Sequence, residues 1–204
     1  MSTTYRIDID GTIAEPKFYH ENLHTCCDWY VNQKIVTTEE VASLQTHQQL
    51  FLIPHVLVTH VPIAGSVEVL QALFSEGKSL QYFTVRQALR HEICVQVYHH
   101  THVWLEQWHF PLSEAVHFFW DAGKKLTEAL EAKEDQILLI DDRPDGLVKA
   151  YQKIVAQNPD VGQQIKQRIT VLAFGSVDTS SLPSSDLKVL PLANWFVFHT
   201  THFE

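Results

Sequence analysis

Apolar and polar positions change rhythm several times along the chain, and each change predicts an element. Residues 5–9 form a short run bearing Ile and Tyr that stops at Gly11-Thr12, the pattern of a buried strand opening into a loop. Beyond Pro62, the positions Val67, Leu70, Leu73 and Phe74 share one helical face, and Gly77 can end that helix in a left-handed turn. Residues 80–84 then read as a strand, 87–108 as a long helix closed by Phe110-Pro111, and 116–119 as another short apolar run. A helix over 124–132, an aliphatic strand over 137–140, a helix over 147–155 and a strand over 169–174 complete the series. Strands alternating with helices predict the α/β class, a mostly parallel sheet with helices on both faces. The Ser-, Thr- and Pro-rich residues 178–186 read as a surface loop, and 189–198 as an apolar segment packed on the core.

One stretch breaks this rhythm. Residues 15–61 are rich in His, Gln, Thr and aromatics, with helix-like patterns near 21–33 and 39–49. Thr37 and Glu40 have the spacing of a capping box, in which each side chain meets the other's orphan backbone N–H. The expected organisation is a core from residues 1–14 and 62–204, with 15–61 as a small helical insertion. No internal repeat or low-complexity tract is seen.

Composition narrows the possible partners. With 204 residues, 45% hydrophobic and 19% charged, the chain suits one core or a core with a small appendage. The net charge of −9 opposes binding to a nucleic-acid polymer, though a small phosphorylated substrate remains compatible with it. The apolar stretch 51–63 is interrupted by Pro54, His55, His60 and Pro62, so no membrane span is expected. No basic segment precedes an apolar run at the N-terminus, which makes cytoplasmic residence the expectation. Three cysteines, with Cys26 and Cys27 adjacent, do not make a disulfide framework. His20 and His24 near those cysteines, and His99, His100, His102 and His109, do not form a zinc spacing.

The chemistry lies where the predicted strands end. Ligands of open parallel sheets bind beyond the carboxyl ends of the strands, where residues from several strands meet. The first strand ends in Asp8-Ile9-Asp10-Gly11-Thr12, the second in Thr84-Val85-Arg86, and the 137–140 strand in Asp141-Asp142-Arg143, with Lys124 and Lys125 opening the helix before it. Asp8 and Asp10 are separated by one residue, and the strand period of two puts them on one face as neighbours. Adjacent carboxylates repel unless a cation or a shared proton compensates. Asp142 can add a third oxygen, and an oxygen-only set with open positions suits Mg²⁺.

In their order, Asp8-Ile9-Asp10-Gly11-Thr12, Thr84, Lys125 and Asp141-Asp142 resemble the four motifs of the haloacid dehalogenase-like (HAD) phosphatase superfamily. Residues 62–65, 82–86 and 138–142 are similar to its 5'-nucleotidase-like members. The resemblance implies a Rossmann-like core with a helical cap over 15–61, and a phosphatase that passes through an aspartyl-phosphate on Asp8. It implies Asp10 as the acid and base, since dehalogenase-type members lack an acid at that position. Thr84 and Lys125 would bind the phosphoryl group, and Arg86 is a further substrate-binding candidate from its place opposite Asp8. Mg²⁺ would be held by Asp8, Asp142 and the backbone carbonyl of Asp10, with Asp141 in the outer shell. The doublet leaves Lys124 or Lys125 as the site lysine, and the following Leu126 favours Lys125 through its apolar spacing. Asp145 lies closer to Asp142 than the family's last acidic residue often does. Phe18, Tyr19, Trp29 and Tyr30 either stack on a substrate base or form the cap's own core. The expected substrate is a small phosphate ester, with a nucleoside monophosphate first. The alternative is a catalytically silent relative that binds phosphate or a partner protein.

Overall fold

An uninterrupted aliphatic strand needs cover on both of its faces, and the chain provides it. The computed structural model describes residues 2–15, 28, 31, 32, 34, 36–45, 60–86 and 91–198. In chain order its elements are β1 (Thr3–Ile7), α1 (Thr38–Gln45), α2 (Ser66–Ser75), β2 (Ser79–Thr84), α3 (His91–Gln107), β3 (Val116–Phe118), α4 (Ala122–Ala129), β4 (Gln136–Asp141), α5 (Pro144–Gln157), α6 (Pro159–Arg168), β5 (Ile169–Phe174) and β6 (Lys188–Leu192). The strands form one sheet in the order β3-β2-β1-β4-β5-β6, and every neighbouring pair is parallel.

Side-chain alternation divides β4 between two cores. Leu138 and Ile140 join Tyr5, Ile7, Leu70, Leu73 and Trp104 on one face, while Ile137 and Leu139 join Leu126, Leu147 and Ile165 on the other. Both sets are apolar because both faces are covered, so the strand reads as a continuous run. Residues 195–198 add a helical turn that buries Trp195 and Phe198 completely in the first of these cores.

Several boundaries differ from the sequence expectation for local reasons. The first strand stops at Ile7, because the Ile9 carbonyl accepts from the N–H groups of Ile13 and Ala14 at 3.0 and 2.9 Å and turns the chain. In α2 the buried set is Ser66, Val69, Leu70 and Leu73, while Phe74 is 47% exposed. Gly77 does take a left-handed φ of 75°, and the Lys78 N–H returns to the Leu73 carbonyl. α3 ends before Pro111: His109 adopts φ 60° and the Phe110 N–H bonds back to Leu105. Two elements were not anticipated. Helix α6 buries only Gly162 and Ile165, too thin a stripe for its periodicity to stand out. The segment over 189–198 packs on the core as expected, but part of it pairs as β6; Pro191 is tolerated there because β6 is an edge strand.

The capping box at α1 is present. The Thr37 N–H donates to the Glu40 carboxylate at 2.7 Å, and the Glu40 N–H to Thr37 Oγ1 at 3.2 Å. The pattern near 21–33, the end of the one near 39–49, residues 87–90, His20, His24, the adjacent cysteines and the aromatics Phe18, Tyr19, Trp29 and Tyr30 all fall largely or wholly outside the described residues. Among the described residues, no helix is long and apolar enough to cross a membrane.

Candidate active site

The three strands that carry the polar ends are neighbours at the centre of the sheet, in the order β2-β1-β4. Ile7 pairs with Ile140, and the Asp8 N–H donates to the Ile140 carbonyl at 2.9 Å, so the two chains leave the sheet together into Asp8 and Asp141. Helix α4 reaches the same place from one face. Asp121 caps it by accepting from the Lys124 N–H at 2.9 Å, and its inward residues are Lys125, Leu126 and Ala129. Lys124 faces solvent and Lys125 is buried, so the lysine that meets the aspartates is Lys125.

Lys125 Nζ donates to Asp8 Oδ1 at 2.7 Å and to Asp141 Oδ2 at 2.5 Å. Asp141 Oδ1 accepts from the Arg143 N–H at 2.8 Å, which fixes the other side of that carboxylate. Asp8, Asp141 and Asp142 each offer one carboxylate oxygen, and these oxygens all lie within 4.8 Å of one another. Gly11 makes this approach possible: it holds φ +77°, and a Cβ there would lie 2.2 Å from Asp142 Oδ2.

Asp10 belongs to a second, adjoining group. Because β1 stops at Ile7, strand alternation does not align Asp10 with Asp8, and its carboxylate is not among the three clustered ones. Instead Arg86 Nε and Nη2 each donate to Asp10 at 2.7 Å, to Oδ2 and Oδ1 respectively. Arg86 Nη1 donates to Thr101 Oγ1 at 2.8 Å, and that hydroxyl donates to the Val97 carbonyl at 2.7 Å.

Burial dominates the electrostatics. It pushes the Asp8 carboxyl well above its ordinary range; Lys125 opposes the shift, while Asp141 and Asp10 add to it. Asp142 is pushed up to about 6, first by burial and then by Asp141. For Lys125, burial works against the charge, but the carboxylates of Asp141 and Asp8 outweigh it and hold the ammonium up. His60, beside this group, is driven down to about 4 by burial and by Arg86, against the pull of Asp10.

Thr84 ends β2 and is buried, two residues beyond Tyr82, which pairs with Ile7. Asp145 stands apart in solvent, paired with Lys149 at 3.3 Å. One role had no reading in the sequence, and another is closer than expected. Thr101 lies mid-helix in α3, where only its contact with Arg86 distinguishes it. Asp141, expected behind Asp142, shares the lysine with Asp8 directly.

No family model matches the sequence, and no curated protein matches it. Solved structures do. A haloacid dehalogenase-like hydrolase from Burkholderia xenovorans LB400 aligns with a TM-score of 0.58 at 13% identity, over 99% of this chain and 97% of that one. A hydrolase from Pseudomonas syringae aligns with 0.53 at 12% identity over the whole of both chains. A HAD family hydrolase from Deinococcus radiodurans with bound phosphate and sodium aligns with 0.51 at 11% identity, over 97% of this chain and 93% of that one. With six parallel strands between two helical layers and these neighbours, the chain has the HAD-like fold.

Proposed function

We propose that the chain is a Mg²⁺-dependent phosphomonoesterase that works through an aspartyl-phosphate on Asp8. Its substrate is a small phosphorylated metabolite, with a nucleoside monophosphate as the first to try. The observation that carries this reading is the buried cluster in which Lys125 donates to Asp8 while Asp141 and Asp142 crowd the same carboxylate. A carboxylate that attacks an anionic phosphoryl group needs positive charge beside it, and Lys125 supplies it. The phosphate bound by the Deinococcus radiodurans hydrolase of the same fold adds support.

The residues fit a hard divalent cation. Three carboxylate oxygens lie within 4.8 Å of one another, and burial pushes two of these carboxyls up, a cost that a cation relieves. An all-oxygen donor set suits Mg²⁺. Asp8 and Asp142 would hold the ion with the Asp10 carbonyl, leaving Asp141 to Lys125. When bound, it neutralises phosphoryl charge.

The chain's own residues then divide the work. An Asp8 oxygen attacks phosphorus, and the ester oxygen leaves with a proton from Asp10. Water attacks the aspartyl-phosphate while Asp10 takes its proton back, which frees Asp8 and inorganic phosphate. Thr84 donates to a phosphoryl oxygen, and Lys125 neutralises charge on the phosphoryl group and on Asp8. Residues 15–61, expected as a cap that excludes water and selects the leaving group, lie largely outside the described residues.

The test is phosphate release from a panel of nucleoside monophosphates, sugar phosphates, phospholipid head groups and p-nitrophenyl phosphate, with Mg²⁺ and with EDTA. Release that needs Mg²⁺ and disappears in Asp8→Asn supports the reading. No release from any ester overturns it and leaves a phosphate-binding relative.

A further inference from the structure

Arg86 is buried to 1% exposure, yet it carries a permanent charge. Such a group is costly unless its donors are met, and here each of its three nitrogens has an acceptor. Two of them grip both oxygens of Asp10 in a planar fork, a geometry that fixes the plane of the carboxylate as well as its position. The third is braced from α3, where the Thr101 hydroxyl gives its proton to the Val97 carbonyl and so presents a lone pair to the guanidinium. The Asp10 side chain is 28% exposed while that of Arg86 is 1% exposed, so the arginine stands behind the aspartate and the aspartate faces outward.

We infer that Arg86 is a positioning residue: its fork, braced by Thr101, sets the orientation from which Asp10 exchanges its proton with the leaving group and with water. The inference rests on the phosphatase reading and deepens it. Arg86 acts through Asp10, so its loss should resemble the loss of Asp10 and depend on how much protonation the leaving group needs. A structural brace or a substrate anchor has no reason to make that distinction.

The experiment is steady-state kinetics on an alkyl phosphate and on p-nitrophenyl phosphate at saturating Mg²⁺. It compares wild type, Asp10→Asn, Arg86→Lys, Thr101→Val and the double variant Asp10→Asn/Arg86→Lys, each checked by thermal melting. Arg86→Lys keeps the charge but loses the fork, and should lower kcat/KM, which reports the steps up to loss of the leaving group, about 100-fold on the alkyl ester and less than about 10-fold on the activated ester. kcat should fall on both esters, because water attack on the aspartyl-phosphate they share also depends on Asp10. The double variant should be no slower than Asp10→Asn alone, since the two residues act as one unit. Thr101→Val, close in shape, should show the same selectivity with a loss of about 3- to 10-fold, and it decides the matter if Arg86→Lys does not fold. A KM that rises equally on both esters with kcat unchanged, or losses that simply multiply in the double variant, overturn the positioning role alone. A wild-type protein that releases no phosphate overturns it together with the phosphatase reading.

Discussion

Lys125 Nζ stands 2.7 Å from Asp8 Oδ1, although 117 residues of chain separate them. Two features of the fold unite them: β1 lies beside β4, and α4, the helix before β4, turns its buried face onto the strand ends. Asp141 closes the triangle at 2.5 Å, so one buried ammonium serves two carboxylates.

Asp8→Asn is nearly isosteric and leaves Lys125 with Asp141. Turnover should fall by at least about 10³-fold, because the amide is not a nucleophile. Phosphate-release assays beside a circular dichroism spectrum check this; retained turnover would assign the attack to another group.

Removing the cation instead should be costly to the fold. In Lys125→Met, Asp8 and Asp141 are left buried without their shared donor, which should destabilise the chain by about 3–5 kcal/mol. Urea unfolding without added metal measures the loss. Repeating it with excess Mg²⁺ should recover part of it, because an ion taken up by the folded cluster alone would stabilise the folded state.

Gly11→Ala tests the close approach of Asp142. The new Cβ meets Asp142 Oδ2 at 2.2 Å, and the backbone holds φ +77°, so strain of about 1–3 kcal/mol and displacement of Asp142 are expected together. A Mg²⁺ titration of activity should show a raised half-saturation concentration. An unchanged value would mean that Asp142 does not hold the ion.

His60 predicts a stability slope in mild acid. Its folded value is about 4, below the ordinary 6.5, so between those limits the unfolded chain binds the extra proton. Stability from this group is therefore full above pH 6.5, falls as pH drops towards 4, and is flat below that. The total for a group so buried is about 3 kcal/mol. Urea midpoints of wild type and His60→Asn at pH 7, 5.5 and 4.5 isolate it: the difference between the proteins should change with pH across this window.

A structural control lies away from the site. The Arg168 guanidinium donates to the carbonyls of Leu130, Ala132 and Glu134, closing the turn between α4 and β4. Arg168→Ala should cost about 1–3 kcal/mol in urea and leave phosphate turnover per folded molecule unchanged.

Much of this protein is written in local pattern. The alternation of short aliphatic runs with helical faces determined the α/β class, since a strand like 137–140, apolar at consecutive positions, is stable only when covered on both sides. Asp8, Asp10, Thr84 and Asp142 follow the ends of three predicted strands, and those strands are neighbours in the sheet. The capping box at Thr37 was legible because both partners lie within one turn. Other features depended on contacts that no local pattern encodes. Helix α6 and strand β6 have faces too thin or too exposed to announce themselves. The apolar spacing at Leu126 favoured Lys125 over Lys124, and the packing of α4 on the sheet buries it beside Asp8. The fork between Arg86 and Asp10 joins residues far apart in the chain, and β1 ends at Ile7, short of Asp10. Periodicity tells which residues share a side of one element; which partners meet across elements is decided only when the elements pack.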